Sequence, residues 1–180
     1  KHTKVVTIAD NVIPHEKRPG DKQFTQYFIK AVDAFITMSE KVMHDLRSFT
    51  QKPARQIVHP LYDNFGEAVD KTKARMHLGI DPDEHIILFF GFIRKYKGLD
   101  LLLEAMKLIT ENLKAQIRNL PAGWHVPKLL IAGEFYEDKK NYDELIQNRG
   151  ISDQLILHTD FIPDSEVKYY LSAADFVIRP

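Results

Sequence analysis

Apolar residues in this chain come in short runs, and between the runs they recur every three or four positions. The runs VVTIAD (5–10), AFITMS (34–39), QIVHP (56–60), IILFFG (86–91), LLIAG (129–133), LILHTD (155–160) and FVIRP (176–180) have the length and β-branched content of strands. Several are apolar on successive residues rather than alternate ones. That pattern predicts strands covered on both faces, as in a parallel sheet held between helix layers. The helical period between them is strong: 23–33 carries Phe24, Tyr27, Phe28 and Ala31, 40–50 carries Val42, Met43, Leu46 and Phe49, and 99–117 carries Leu102, Ala105, Met106, Ile109 and Leu113. Shorter helices are expected over 142–147 and 164–172, the second with Asp164 or Ser165 placed to cap its first turn. Strand, helix and strand in succession imply right-handed crossovers and a doubly wound α/β sheet.

The pattern lapses between His59 and Glu84, where prolines, a glycine and charges surround one short helix near 71–78. We therefore expect 1–66 to be the end of one domain, 67–84 a linker, and 85–180 part of a second domain. The first part has too few strands to close a doubly wound domain, and the second stops on a strand with no covering helix after it. The expectation is a piece of a longer chain, incomplete in both domains.

Charge narrows the partners. Lys and Arg total 25, as do Asp and Glu, so no bulk positive field exists to hold nucleic acid or an anionic membrane. Any anion site must be local. The absence of cysteine excludes disulfides and thiolate metal sites and suits a cytoplasmic protein. No run reaches the roughly 18 apolar residues of a membrane span. The eight histidines form no H-x-x-x-H pair, and DPDE (81–84) precedes a strand rather than ending one, so it reads as a turn and no metal site is expected.

One joint concentrates positive charge. IILFFGFIRKYKGLDLLLEA (86–105) leaves a buried-type strand at Gly91, passes Arg94, Lys95 and Lys97, and enters an amphipathic helix after Gly98. In open α/β sheets ligands bind past the carboxyl ends of the strands, where helix N-termini carry partial positive charge. Arg94 supplies a two-point fork and Lys97 a compact charge, a combination suited to a phosphate or diphosphate. The plain alternative is a solvated loop over a buried sheet. The joint has neither the G-x-x-x-x-G-K-[ST] of a P-loop nor the G-x-G-x-x-G of a dinucleotide fold.

LFFGFIRKYKGLDLLLEA, LLIAGEFYEDKKNYDELI and LILHTDFIPDSEVKYYLSAADFVIRP together resemble the donor-binding domain of family 4 (group 1) glycosyltransferases of GT-B fold. VVTIADNVIPHE, AFITMSEKVMHDL and QIVHPLYD resemble the end of that family's acceptor-side domain and its crossover linker. The resemblance implies retaining transfer of a hexose from a nucleotide-diphosphate sugar to a saccharide or lipid-linked acceptor, between two Rossmann-like domains. It also implies no metal, because a basic pair neutralises the donor diphosphate. Lys97 falls on the family lysine. The family arginine directly follows the glycine, where this chain has Phe92, and Arg94 is the nearest arginine to carry over. By the same resemblance, backbone groups near Phe161 and Ile162 line the donor base or ribose, and DNVIPHE (10–16) is the acceptor-side loop, with Asp10, Asn11 and His15 as its candidates. The family's paired glutamates would lie beyond Pro180, so this stretch alone is expected to turn over little or nothing. A cytoplasmic place at the inner membrane face and a role in polysaccharide biosynthesis complete the implied picture.

Other residues carry two readings each. Glu134, at another strand end, faces the donor or is a surface carboxylate. His15 is a proton carrier near neutral pH or a loop histidine without chemistry. Ser39 and Glu40 fit a helix start better than catalysis. The competing function is a non-catalytic α/β module that binds a phosphorylated small molecule.

Overall fold

The computed structural model describes residues 3–14, 18–61, 63–116 and 125–178. The chain forms two compact units, Lys1–Tyr62 and Asp63–Pro180. This division falls ahead of the boundary expected at 66, and the stretch expected as a linker folds with the second unit for reasons given below.

The first unit is a three-stranded parallel sheet in the order β1-β2-β3, with β1 at Val6–Ala9, β2 at Ala34–Thr37 and β3 at Ala54–Gln56. Helix α1 (Asp21–Ala31) connects β1 to β2 and α2 (Glu40–Arg47) connects β2 to β3. Its core is Ile29, Val32, Phe35 and Leu46, with Val12, Phe49 and Ala54 packed against it. Ser39 accepts a hydrogen bond from Val42 N at 3.3 Å and starts α2, as its position suggested. The carboxyl end of α1 is closed by a distant side chain: the Lys52 ammonium donates to the carbonyls of Ile29, Lys30 and Val32 at 2.8, 2.9 and 2.6 Å. Of these carbonyls only that of Ile29 also takes a backbone donor among the described residues, the Val32 N–H at 3.4 Å, and a cation there meets the negative end of the helix dipole. The third strand differs from expectation. It covers Ala54–Gln56, and Ile57 and Val58 of the predicted run are exposed, because β3 is the edge strand and only Ile57 N continues its ladder, to Thr37 O.

The second unit is a four-stranded parallel sheet in the order β6-β5-β4-β7. Its strands are β4 (Ile86–Phe90), β5 (Lys128–Ala132), β6 (Leu155–His158) and β7 (Phe176–Ile178), joined by α4 (Leu99–Gln116), α5 (Lys139–Arg149) and α6 (Asp164–Ala173). Both faces of the central strands are covered. Phe89, Leu129 and Ile131 pack with Leu99, Leu103 and Met106 of α4 and with Tyr142 and Ile146 of α5. Leu88, Leu130 and Ala132 point the other way, toward Ile80 and Tyr170 of α6. Consecutive apolar residues are thus explained by two helix layers. All three residues of the edge strand β7 are exposed. Among the described residues, no helix is long and apolar enough to cross a membrane.

Helix α3 (Lys71–His77), capped by Asp70 on Lys73 N, packs on α6, and its Arg75 is nearly buried. Arg75 donates to Ala173 O at 3.0 Å, to Pro82 O at 2.7 Å and to the Asp175 carboxylate at 2.7 Å. Asp175 also takes the Ile86 N–H at 2.8 Å and the Lys71 ammonium at 2.7 Å. This cluster ties the amino ends of β4 and β7 to α3, which is why 67–84 belongs to the second unit rather than bridging two. Asp81 accepts from Asp83 N, so DPDE is a turn. The expected cap of α6 is corrected: its N-cap is Pro163 and no side chain caps it, since the Asp164 carboxylate is taken by the Asn64 amide at 2.7 Å.

Candidate functional site at the end of the central strand

The order β6-β5-β4-β7 means that the chain builds outward from β4 through β5 to β6 and then returns to the other side of β4. The strand order reverses at β4, and the carboxyl end of such a strand is where an open α/β sheet leaves a crevice for a ligand. The cationic joint follows that strand directly.

The joint is held as an extension of the sheet. Gly91 N donates to Ala132 O at 2.9 Å, Ile93 N to Glu134 O at 2.8 Å and Tyr136 N to Ile93 O at 3.1 Å, with a parallel bridge between Ile93 and Phe135. Ile93 is fully buried and anchors the loop in the α4 side of the core. The two loops approach so closely that a Cβ on Gly133 would lie 2.3 Å from Gly91 O, and Gly133 has φ of +136°. Only glycine allows that contact. After Arg94 the chain makes one 3-10 turn, Lys95–Lys97, closed by Gly98 at φ 68° before α4 begins. The left-handed Gly98 turns the chain into the helix, whose first N–H groups have no acceptor within the helix.

The side chains stand as follows. The Lys97 Nζ is 3.5 Å from the point where a Cβ on Gly91 would sit, so the ammonium folds back over the strand end instead of extending outward. The Arg94 guanidinium stacks on the Tyr136 ring, with Cζ 4.9 Å from the centroid, and Tyr136 meets Phe92 edge-on at 4.6 Å. Arg94 and Lys97 are both half-buried, and among the described residues neither has an acidic partner. Two cations without an acidic partner among the described residues, in the loop that leads into a helix start, are a configuration that attracts an anion. Lys95 differs: it is exposed, and its backbone N–H is taken by the Glu137 carboxylate.

The backbone sets Gly91, Arg94, Lys97 and Gly98 on one loop and Glu134 on the loop paired with it, with the Lys97 ammonium over Gly91 and the Arg94 guanidinium on Tyr136. Glu134 is half-buried at the end of β5, with its carbonyl paired to Ile93 N. Phe161 and Ile162 follow β6, one strand beyond β5. Phe161 is 70% exposed, whereas the Ile162 side chain packs into the core on the α6 side, so any ligand contact by Ile162 falls to its backbone. In the first unit Asp10 and Asn11 are exposed at the end of β1; Asn11 borders a mainly apolar hollow of about 330 Å³ together with Val12, Pro14, Phe24 and Phe28. His15 lies outside the described residues.

Residues missed by the sequence reading surround the joint. Tyr136 and Glu137 brace it, and Glu137 also accepts the Tyr142 hydroxyl at 3.3 Å. Burial, and then the Glu137 charge, push that phenol up to about 12. At the end of β6, His158 Nδ1 and the Tyr170 hydroxyl share a hydrogen bond of 3.0 Å. Burial pushes the imidazole down and, with Glu166, the phenol up. Both groups are neutral near pH 7 and belong to the packing under the site.

Sheet order and cationic joint together define a layered α/β protein with basic residues in the loop at its switch point. The comparisons name the family: residues 70–180 match the model of glycosyl transferases group 1, and the chain belongs to that family. D-inositol 3-phosphate glycosyltransferase of Segniliparus rotundus is 31% identical over 185 residues, which is 98% of this chain and 38% of that protein. WaaG, a glycosyltransferase involved in lipopolysaccharide biosynthesis, superposes with a TM-score of 0.73 at 16% identity, over 97% of this chain and 50% of WaaG. Anabaena HepE, solved with UDP and glucose, gives 0.71 at 15% identity, over 97% and 45%. These likenesses establish the GT-B type of α/β fold, and the chain spans half or less of each of these three proteins.

Proposed function

We propose that this chain supplies the donor side, and part of the acceptor side, of a retaining glycosyltransferase that uses a nucleotide-diphosphate sugar without a metal. The observation that carries the reading is the pair Arg94 and Lys97, without an acidic partner among the described residues, in the loop at the reversal point of the sheet. As the bond from the anomeric carbon to the diphosphate oxygen breaks, negative charge grows on the leaving diphosphate. Fixed cations aimed at that charge act most strongly in the transition state. The acceptor hydroxyl oxygen then bonds to the same face of the sugar as its proton passes to the departing diphosphate oxygen. Glu134 and the backbone at Phe161 and Ile162 are assigned to the rest of the donor, and Asp10, Asn11 and His15 to the acceptor side, which is a saccharide or lipid-linked sugar. The HepE complex with UDP and glucose supports a donor of this type. The reading includes a cytoplasmic place, at the inner membrane face for a lipid-linked acceptor.

The test is calorimetric titration of UDP, GDP and ADP into wild type, Lys97→Ala and Lys97→Arg. A charge-assisted contact to phosphate contributes about 1.5–3 kcal/mol, so Lys97→Ala weakens the preferred nucleotide roughly 10- to 100-fold. Lys97→Arg retains part of the affinity, and the wild-type affinity falls with added salt. Equal binding by Lys97→Ala and wild type would refute the assignment.

A further inference from the structure

We propose that Glu137 is a positioning residue of this anion site: one carboxylate oxygen takes the Lys95 N–H, the other the Tyr142 hydroxyl, and the clasp sets the turn that carries Lys97. The inference rests on the diphosphate reading above. Its starting point is a backbone group that lacks a local partner. In the turn Lys95–Lys97, the N–H groups of Lys97 and Gly98 bond back to Arg94 O and Lys95 O, but the Lys95 N–H has no such acceptor within its own turn. Glu137, from the neighbouring loop, fills that role as a cap would.

Glu137 is itself well placed to do so. Its loop is stitched to the joint by the Ile93 and Phe135 bridge and by Tyr136 N on Ile93 O, and the next residue, Asp138, caps α5 by accepting from Lys140 N at 3.0 Å. On its far side the carboxylate meets Tyr142, which is 6% exposed and sits in the α4–α5 core. The phenol, held protonated by burial and by Glu137, remains a hydrogen-bond donor throughout the physiological range. Glu137 thus links a buried core residue to the first backbone donor of the cationic turn.

Electrostatics makes the role testable. A carboxylate beside a site for a diphosphate repels the ligand, so its charge works against binding while its geometry works for it. Glu137→Gln keeps a carbonyl acceptor for Lys95 N–H and removes the charge. Glu137→Ala removes both. A positioning role therefore predicts an order that a simple charge effect cannot give: Gln binds as tightly as wild type or tighter, and Ala binds about tenfold weaker.

The experiment is calorimetric titration of UDP, GDP and ADP into wild type, Glu137→Gln, Glu137→Ala and Lys97→Ala, each at a temperature where circular dichroism shows it folded. The expected order for the preferred nucleotide is Gln at or above wild type, with Glu137→Ala and Lys97→Ala both weakened. If Lys97→Ala is weakened while Glu137→Ala equals wild type, the clasp is only structural and this inference is wrong, though the diphosphate reading stands. If Gln and Ala are equally weakened, the charge itself matters and positioning by the acceptor is refuted. Unchanged binding by Lys97→Ala, or no binding of any of the three by wild type, overturns the diphosphate reading and this inference with it.

Discussion

Replacing Gly133 by alanine tests the link between sheet geometry and site in one step. The new Cβ would lie 2.3 Å from Gly91 O, 2.8 Å from Gly91 C and 3.2 Å from Gly91 Cα. A carbon and a carbonyl oxygen in contact normally sit about 3.3–3.6 Å apart, so the loops must part by about 1 Å. The opposing atoms are backbone and cannot rotate away. The residue is also held at φ +136°, a conformation that side chains rarely adopt and that costs of order 1–3 kcal/mol. Together these predict a melting temperature lower by roughly 5–15 °C. The functional effect is separate. Gly91 is the residue over which the Lys97 ammonium lies, so a shift of about 1 Å there displaces the cation and weakens the nucleotide by up to about 100-fold. Differential scanning fluorimetry and nucleotide titration on Gly133→Ala measure both. Unchanged melting with unchanged affinity would show that the two loops are not in the contact described.

Two further predictions concern stability. Asp175→Asn removes the charge that Arg75, Lys71 and the Ile86 N–H share, and costs about 3 kcal/mol by urea denaturation, the low end for a buried pair because the carboxylate is partly exposed. Burial alone would raise the Asp175 carboxyl, but the hydrogen bonds from Lys71 and Ile86 and the charge of Arg75 hold it below the usual range. Its contribution is therefore complete above the unfolded value of about 3.9 and is lost as pH falls through the lower folded value, so the variant should lose this part of the acid-side slope. His158 has the opposite sign. Its folded value lies below the unfolded one of about 6.5, so the unfolded state binds more protons and stability falls as pH drops from about 7 toward 5. His158→Gln should flatten that portion of the curve, and an unaltered slope would place the titration elsewhere.

The central sheet was readable from the chain because β4 and β5 are apolar on consecutive residues, as coverage on both faces requires. Edge strands were less legible: Ile57 and Val58 look like strand core but are exposed past the end of β3. Helix α5 was read as shorter than Lys139–Arg149, since its first turn is polar and only Asp138 marks its start. That 67–84 packs with the second unit was hidden by one residue type. A buried Arg75 looks like any surface arginine until its partner Asp175, distant in sequence, is in place. For the site, Gly91, Arg94, Lys97 and Gly98 lie close together in the chain and were visible as a group. Tyr136, Glu137 and Gly133 were not, because their role depends on which loop lies beside which, and a single sequence carries no periodic signal for that.

The bridge between Ile93 and Phe135 has a consequence for selectivity. It carries the backbone pairing of the sheet past the ends of β4 and β5 and into the loops, so the cations are preorganised before any ligand arrives and little ordering entropy is left to lose on binding. On the donor role proposed above, a stiff cradle of this kind would grip what all sugar nucleotides share. Discrimination among bases would then fall to the segment after β6, where Phe161 stands free of the core.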